Sequence, residues 1–149
     1  MTRAAIGLGE PVDVAELRWQ WAQESVADNA LSLHPSTEFV SQVASWMRSR
    51  TVWVARNKGL VAGMVCLTQH ERMPSPNPQA AANWGYLGHL YVLPAARSQG
   101  IGRALVHMVL DEAVHRDYAK VVLTPSDLSV PLYRRCGFTN ARTMMVWRP

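Results

Sequence analysis

Apolar residues recur along the chain with two different periods, and the changes of period mark its elements. Downstream of Pro11, Val14, Leu17 and Trp21 fall on one face of a helix, while Val12, Ala15, Trp19, Ala22 and Val26 fall on another. Pro11 and Asp13 occupy positions that a first turn tolerates. A helix apolar on two sides is expected to be covered on two sides, by the core and by something else. A second helix is predicted after Pro35, with Ser36 or Thr37 as cap and Glu38 in the first turn. Phe39, Val43, Trp46 and Met47 supply its apolar face.

The pattern then turns to strands. Residues 51–56 are rich in β-formers, Asn57-Lys58-Gly59 reads as a turn, and residues 60–68 form the returning strand of a hairpin. Residues 69–83, with Pro74, Pro76 and Pro78, make a loop that is long for a small domain, as functional lids and mobile segments are. Residues 84–93 predict a strand ended by Pro94, and residues 100–117 a helix with Ile101, Ala104, Leu105, Met108, Val109 and Ala113 inward. Val121, Val122 and Leu123 predict a short buried strand. A brief helix over residues 129–136 is stopped by Gly137, and it starts late because Pro131 is tolerated only in a first turn. Residues 144–147 predict a last strand. This order mixes a hairpin with at least one strand–helix–strand crossover and excludes a doubly wound fold of regular βαβ units.

Composition narrows the class. A length of 149 residues predicts one domain over residues 1–149, and 48% hydrophobic with 17% charged residues gives ample material for a core. No apolar run approaches bilayer length, and residues 1–9 hold one arginine and no apolar stretch of signal-peptide length. The expectation is a soluble cytoplasmic protein with no membrane partner. A net charge of +4 suits an anionic ligand, but the fifteen Lys and Arg residues are scattered, so nucleic acid is not expected. Cys66 and Cys136 form no CxxC pair, which argues against a metal site or a disulfide framework and for two buried thiols in a reducing compartment.

The segment Leu90-Tyr91-Val92-Leu93-Pro94-Ala95-Ala96-Arg97-Ser98-Gln99-Gly100-Ile101-Gly102-Arg103 is the most informative. A strand ends, a short polar turn follows, and a helix begins at two glycines. A helix N-terminus presents unpaired amides and partial positive charge, which suit a phosphate. Gly100 and Gly102 permit close approach to the backbone, and Arg97 and Arg103 add charge at the rim. No Lys-Ser or Lys-Thr follows the second glycine, so a P-loop is excluded. Leu105 stands where a dinucleotide fingerprint needs its third glycine, so that motif is excluded as well.

Arg97-Ser98-Gln99-Gly100-Ile101-Gly102 resembles the Q/R-x-x-G-x-G/A signature of the GNAT superfamily of N-acetyltransferases. Downstream, Pro131-Leu132-Tyr133-Arg134-Arg135-Cys136-Gly137-Phe138 is similar to that family's Leu-Tyr-x-x-x-Gly-Phe element. The resemblance implies an α+β (mixed α/β) fold: a mostly antiparallel central sheet splayed at the fourth and fifth strands and flanked by helices. It implies acetyl-CoA as cosubstrate, with its pyrophosphate on Arg97, Ser98, Gln99, Gly100, Ile101, Gly102 and Arg103. The backbones of Leu90, Tyr91 and Val92 would line the gap for the pantetheine arm, and a free N–H there would polarise the acetyl carbonyl. Ser126 stands where many members carry an asparagine that contacts that arm, and a hydroxyl makes only part of such a contact. No metal is implied.

The family's reaction is direct attack of an amine on the thioester, with no covalent enzyme intermediate. Tyr133 matches the position of the general acid that protonates the departing thiolate. The general base stays open. Gly88 occupies the position matched to a family glutamate, His89 lies next to it but on the opposite face of a regular strand, and Glu71 sits in the long loop; a water chain is a further alternative. The first two helices and the 69–83 loop would frame the acceptor, a small-molecule or peptide amine. Trp19 is a candidate wall of that pocket, and Glu24 with Asp28 a candidate attraction for a cationic amine. The second apolar face of the first helix is equally a contact for a homodimer. A non-catalytic acyl-CoA-binding or sensing domain is the alternative function, and the presence of Tyr133 favours catalysis.

Overall fold

A computed structural model of the chain describes residues 3–25 and 31–149. Val26 and Asp28, assigned above to an apolar face and to a carboxylate pair, lie outside the described residues. The elements in order are β1 (Ala5–Leu8), α1 (Pro11–Ser25), α2 (Thr37–Met47), β2 (Thr51–Asn57), β3 (Leu60–His70), β4 (Trp84–Val92), α3 (Ile101–His115), β5 (Val121–Val122) and α4 (Val130–Arg135). The strands form one sheet in sequence order, with β1 to β4 antiparallel and β5 parallel to β4.

The sheet carries helices on both faces because its strands alternate apolar residues to both sides. Val52, Val54, Met64, Cys66 and Tyr91 pack with Val14, Leu17 and Val43 of α1 and α2. Trp53, Ala55, Val65, Leu67 and Leu87 pack with Leu105, Val106 and Val109 of α3 on the other face. Leu17, Leu67, Leu87 and Leu105 are completely buried, each contributing about 1.5–3 kcal/mol relative to exposure. The two-sided cover expected for α1 comes from the sheet and α2, although Val12 is left exposed. Ser36 is the N-cap of α2, accepting from the Phe39 amide at 3.2 Å.

Three elements differ from the sequence reading. β1 was not expected: it is four residues long, contains Gly7, is followed by Gly9 and is mostly exposed, and it forms by pairing all four residues with the β2 edge. β5 is two residues long and half-buried rather than buried. Residues 144–147, expected as the last strand, form none; Met145 and Trp147 are 99% and 84% exposed. β-propensity reflects packing against neighbouring strands, and two residues of β5 offer little edge for this segment to pair with. Among the described residues, no helix is long and apolar enough to cross a membrane.

Candidate functional site

The site is built on the far half of β4. β4 and β5 pair only at Gly85–Val121 and Tyr86–Val122, after which β4 continues without a β5 partner. A Cβ at Gly85 would lie 2.6 Å from Leu67 Cδ1 and 2.8 Å from Tyr118 Cε2. Gly85 therefore marks close packing where the strands join.

Beyond the junction β4 bulges. Met64 pairs with Tyr91 and Cys66 with Gly88, so His89 and Leu90 together oppose Val65 alone. His89 takes a left-handed φ of 53° to absorb the extra residue. Leu87 and Leu90, three positions apart, consequently both pack on the α3 side. The slip in alternation brings His89 onto the same face as Gly88, correcting the expectation that they point apart. It also sorts the backbone. Leu93 donates its amide to Ala62 on β3 at 2.8 Å. Alternation then turns the backbone groups of Tyr91 toward β3 and those of Val92 toward the open edge, where the Val92 carbonyl accepts from Arg97 Nε.

His89 stands at the mouth of a cavity of about 250 Å³ between α1, α2 and the sheet. Its ring meets Trp46 edge-on at 5.2 Å and Trp21 at 6.2 Å. The crowding of its ring, then the charges of Arg18 and Arg50, hold its imidazole below the ordinary value even though it stays open to solvent. Cys66 lies in the same cavity, where burial pushes its thiol up to about 11. Over Gly88 lies Tyr86, a residue the sequence did not single out. A Cβ at Gly88 would be 3.3 Å from its ring, and its hydroxyl donates to Thr124 at 3.2 Å, reaching from β4 past the end of β5.

The turn after β4 reaches α3 through two left-handed residues, Ser98 at φ 62° and Gly100 at φ 81°. The first helical bond runs from Ala104 to the Gly100 carbonyl at 3.1 Å, so the amides of Ile101, Gly102 and Arg103 precede it and have no helical partner. A Cβ at Gly102 would meet only Leu132 at 3.5 Å and Val92 at 3.9 Å, so the helix start is open. Gln99 bonds back to the Ala95 carbonyl at 3.4 Å, and Arg103 lies 3.5 Å from His107. Arg97 is not a free cation on this rim. Its Nε donates to the Val92 carbonyl at 2.9 Å, and Nη2 donates to both carboxylate oxygens of Glu24 at 3.0 Å. Tyr91 also donates its hydroxyl to Glu24. That hydrogen bond first, and Arg97 with it, holds the Glu24 carboxyl below its usual range. Glu24 is thus engaged and not available to attract a cationic amine.

The Leu-Tyr-x-x-x-Gly-Phe spacing has a structural reason. Gly137, at φ 96°, donates to Arg134 O, and Phe138 donates to Tyr133 O, both at 3.0 Å, which makes a Schellman end to α4. The chain turns so that the Phe138 ring meets the Tyr133 ring edge-on at 5.7 Å. Tyr133 is 8% exposed, and burial, with Cys136 and Tyr86 nearby, pushes its phenol up to about 12. Its hydroxyl makes no hydrogen bond among the described residues. Ser126 shapes the entry to α4, its Oγ bonding Ser129 Oγ at 3.0 Å.

Two candidates fall away from this centre. Glu71 follows His70, which pairs with Trp84 at the start of β4. His89 lies five residues further along, roughly 16 Å at about 3.3 Å per residue. The 69–83 loop folds on itself there, the Arg72 amide donating to Asn83 Oδ1 at 3.2 Å. Trp19 donates to Ser32 O at 2.7 Å and packs on Phe39 at 5.1 Å; Phe39, not Trp19, lines the cavity.

The model of the acetyltransferase (GNAT) family matches residues 14–138. Human N-acetyltransferase 8 is 32% identical over 105 residues, which are 67% of this chain and 44% of that protein. Mouse N-acetyltransferase family 8 member 7 is 30% identical over 109 residues, 71% of this chain and 46% of that protein. The chain thus spans less than half the length of these curated relatives. Among solved structures, an acetyltransferase of Trypanosoma brucei superposes with a TM-score of 0.76 at 20% identity, covering 99% of this chain and 100% of that one. A predicted acetyltransferase of Clostridium acetobutylicum, solved with acetyl-CoA, gives 0.72 at 17% identity, covering 98% and 96%. These likenesses show the fold.

Proposed function

Because the chain belongs to the GNAT family of acetyltransferases, we propose that it is an acetyl-CoA-dependent N-acetyltransferase in which a primary amine attacks the thioester directly. The observation that carries this reading is the edge of β4 beyond Tyr86, which has no β5 partner and leads to the three amides that open α3 unpaired among the described residues. A long ligand with an anionic centre fits that arrangement, since the helix start offers donors and positive potential and Gly102 leaves it uncovered. The fold shared with the C. acetobutylicum acetyltransferase supports the same cosubstrate.

Acetyl-CoA supplies an activated acetyl thioester. The backbone of Ser98, Gln99, Gly100, Ile101, Gly102 and Arg103 holds its pyrophosphate, while Arg97 fixes the turn through Glu24 and Val92. The backbones of Leu90, Tyr91 and Val92 line the pantetheine arm, and a free amide there stabilises charge on the acetyl oxygen. Ser126 lies beside α4, within the wall expected to flank the arm. His89, neutral at pH 7 because its pKa is lowered, takes a proton from the amine. The new N–C bond forms as the C–S bond breaks, and Tyr133, still protonated at any physiological pH, gives its proton to the sulfur. Cys66 stays a neutral thiol, which supports direct attack over an acyl-cysteine route.

The test is thiol release from acetyl-CoA with a panel of amines, together with calorimetric binding of acetyl-CoA. Binding with amine-dependent thiol release supports the reading. Binding with no thiol release on any amine would identify a non-catalytic acyl-CoA-binding module instead.

A further inference from the structure

The cavity behind His89 carries an argument about which amine arrives there, and it rests on the acetyl-transfer reading above. Its volume of about 250 Å³ exceeds the roughly 150 Å³ that suffices to hold benzene in an apolar protein cavity. Its wall is mainly apolar and includes Phe39, Val43, Trp46, Val52 and Met64. Beside His89 and Cys66, its polar lining consists of Arg18 and Gln42, and no carboxylate lines it among the described residues.

These features select by charge as well as by shape. An apolar group entering the cavity exchanges water for aliphatic and aromatic contacts. A second ammonium there would lose hydration, find no carboxylate, and face the Arg18 guanidinium, which sits 5.2 Å from the Trp21 ring centroid beside the mouth. Arg50, stacked on Trp46 at 4.7 Å, adds positive charge on the α2 side.

We propose that the acceptor is a primary monoamine bearing one bulky apolar group, of aryl or branched-alkyl size, housed in this cavity with its nitrogen at His89, and that amines with a second positive charge are excluded.

The wild-type chain is assayed for thiol release with acetyl-CoA and phenethylamine, isoamylamine, ethylamine, cadaverine or spermidine. A hydrophobic pocket discriminates by about 10- to 200-fold for a methylene-sized difference. The expected kcat/KM for phenethylamine and isoamylamine is therefore at least about tenfold above ethylamine, with cadaverine and spermidine at or below ethylamine. Val43→Phe, which fills the cavity, should lower kcat/KM for phenethylamine at least about tenfold and leave ethylamine within about threefold. Gln42→Trp at the rim is the second variant, with the same expectation, for use if Val43→Phe does not fold. Equal or preferred use of cadaverine or spermidine would overturn the proposal and leave the acetyltransferase reading standing. Failure of every amine to raise thiol release would overturn both.

Discussion

Arg97 and Glu24, 73 residues apart in sequence, meet through one guanidinium nitrogen that donates to both carboxylate oxygens at 3.0 Å. The pair ties the last turn of α1 to the end of β4 and to the turn that opens α3. Both side chains are partly exposed, at 48% and 34%, so an isolated pair of this kind contributes only about 0.2–1 kcal/mol. A double-mutant cycle of Arg97→Ala and Glu24→Ala, followed by urea unfolding, should give a coupling within that range. Strict additivity would show that the contact adds nothing to stability.

The same carboxyl gives a pH prediction. Its folded pKa lies below the ordinary value of 4.5, so its contribution is complete above the unfolded value and is lost as pH falls through the folded one. The stability gap between the wild type and Glu24→Gln should be open at pH 7 and smaller at pH 3. A gap unchanged at pH 3 would contradict the lowered pKa.

Binding at the α3 start is tested by a pair of substitutions at Gly102. A methyl group there meets only ordinary contacts with Leu132 and Val92, so Gly102→Ala should fold and bind acetyl-CoA within a few-fold of wild type. Gly102→Glu places a carboxylate against the unpaired amides and should abolish binding measured by calorimetry while urea unfolding stays cooperative. Undiminished affinity in Gly102→Glu would remove the pyrophosphate from this place.

Local signals were legible in the sequence, and long-range ones were not. The turn into α3 and the Tyr133–Gly137–Phe138 spacing are local geometry: a left-handed glycine and a Schellman end are written into a few consecutive residues. The bulge at His89 was not legible, because it is set by register against Val65 on another strand, and strict alternation assigned His89 the wrong face. Arg97 read as a free cation because its partner lies far away on α1. β1 forms on the edge of β2 with little burial of its own, whereas residues 144–147 have β-rich composition but pair with none of the described strands.

The choice of His89 over Glu71 as base predicts a split. General base catalysis is worth about a hundred- to ten-thousand-fold, so His89→Gln should lower kcat at least about a hundredfold, and Glu71→Gln should leave it within about twofold. The acid limb of the wild-type kcat profile should lie below 6.5, following the lowered imidazole, and should vanish in His89→Gln. A loss of activity in Glu71→Gln with His89→Gln near normal would reverse the assignment.

Tyr133 bears most directly on the account as a whole. Its ring is buried against Phe138 and its hydroxyl bonds to no described residue, so Tyr133→Phe removes a proton donor and little else. The measurement is kcat for thiol release in Tyr133→Phe with the best amine of the panel, alongside calorimetric affinity for acetyl-CoA. The account predicts a fall in kcat of at least about a hundredfold with affinity within a few-fold of wild type. A near-normal kcat would contradict it, because the sulfur would then take its proton from water or another donor.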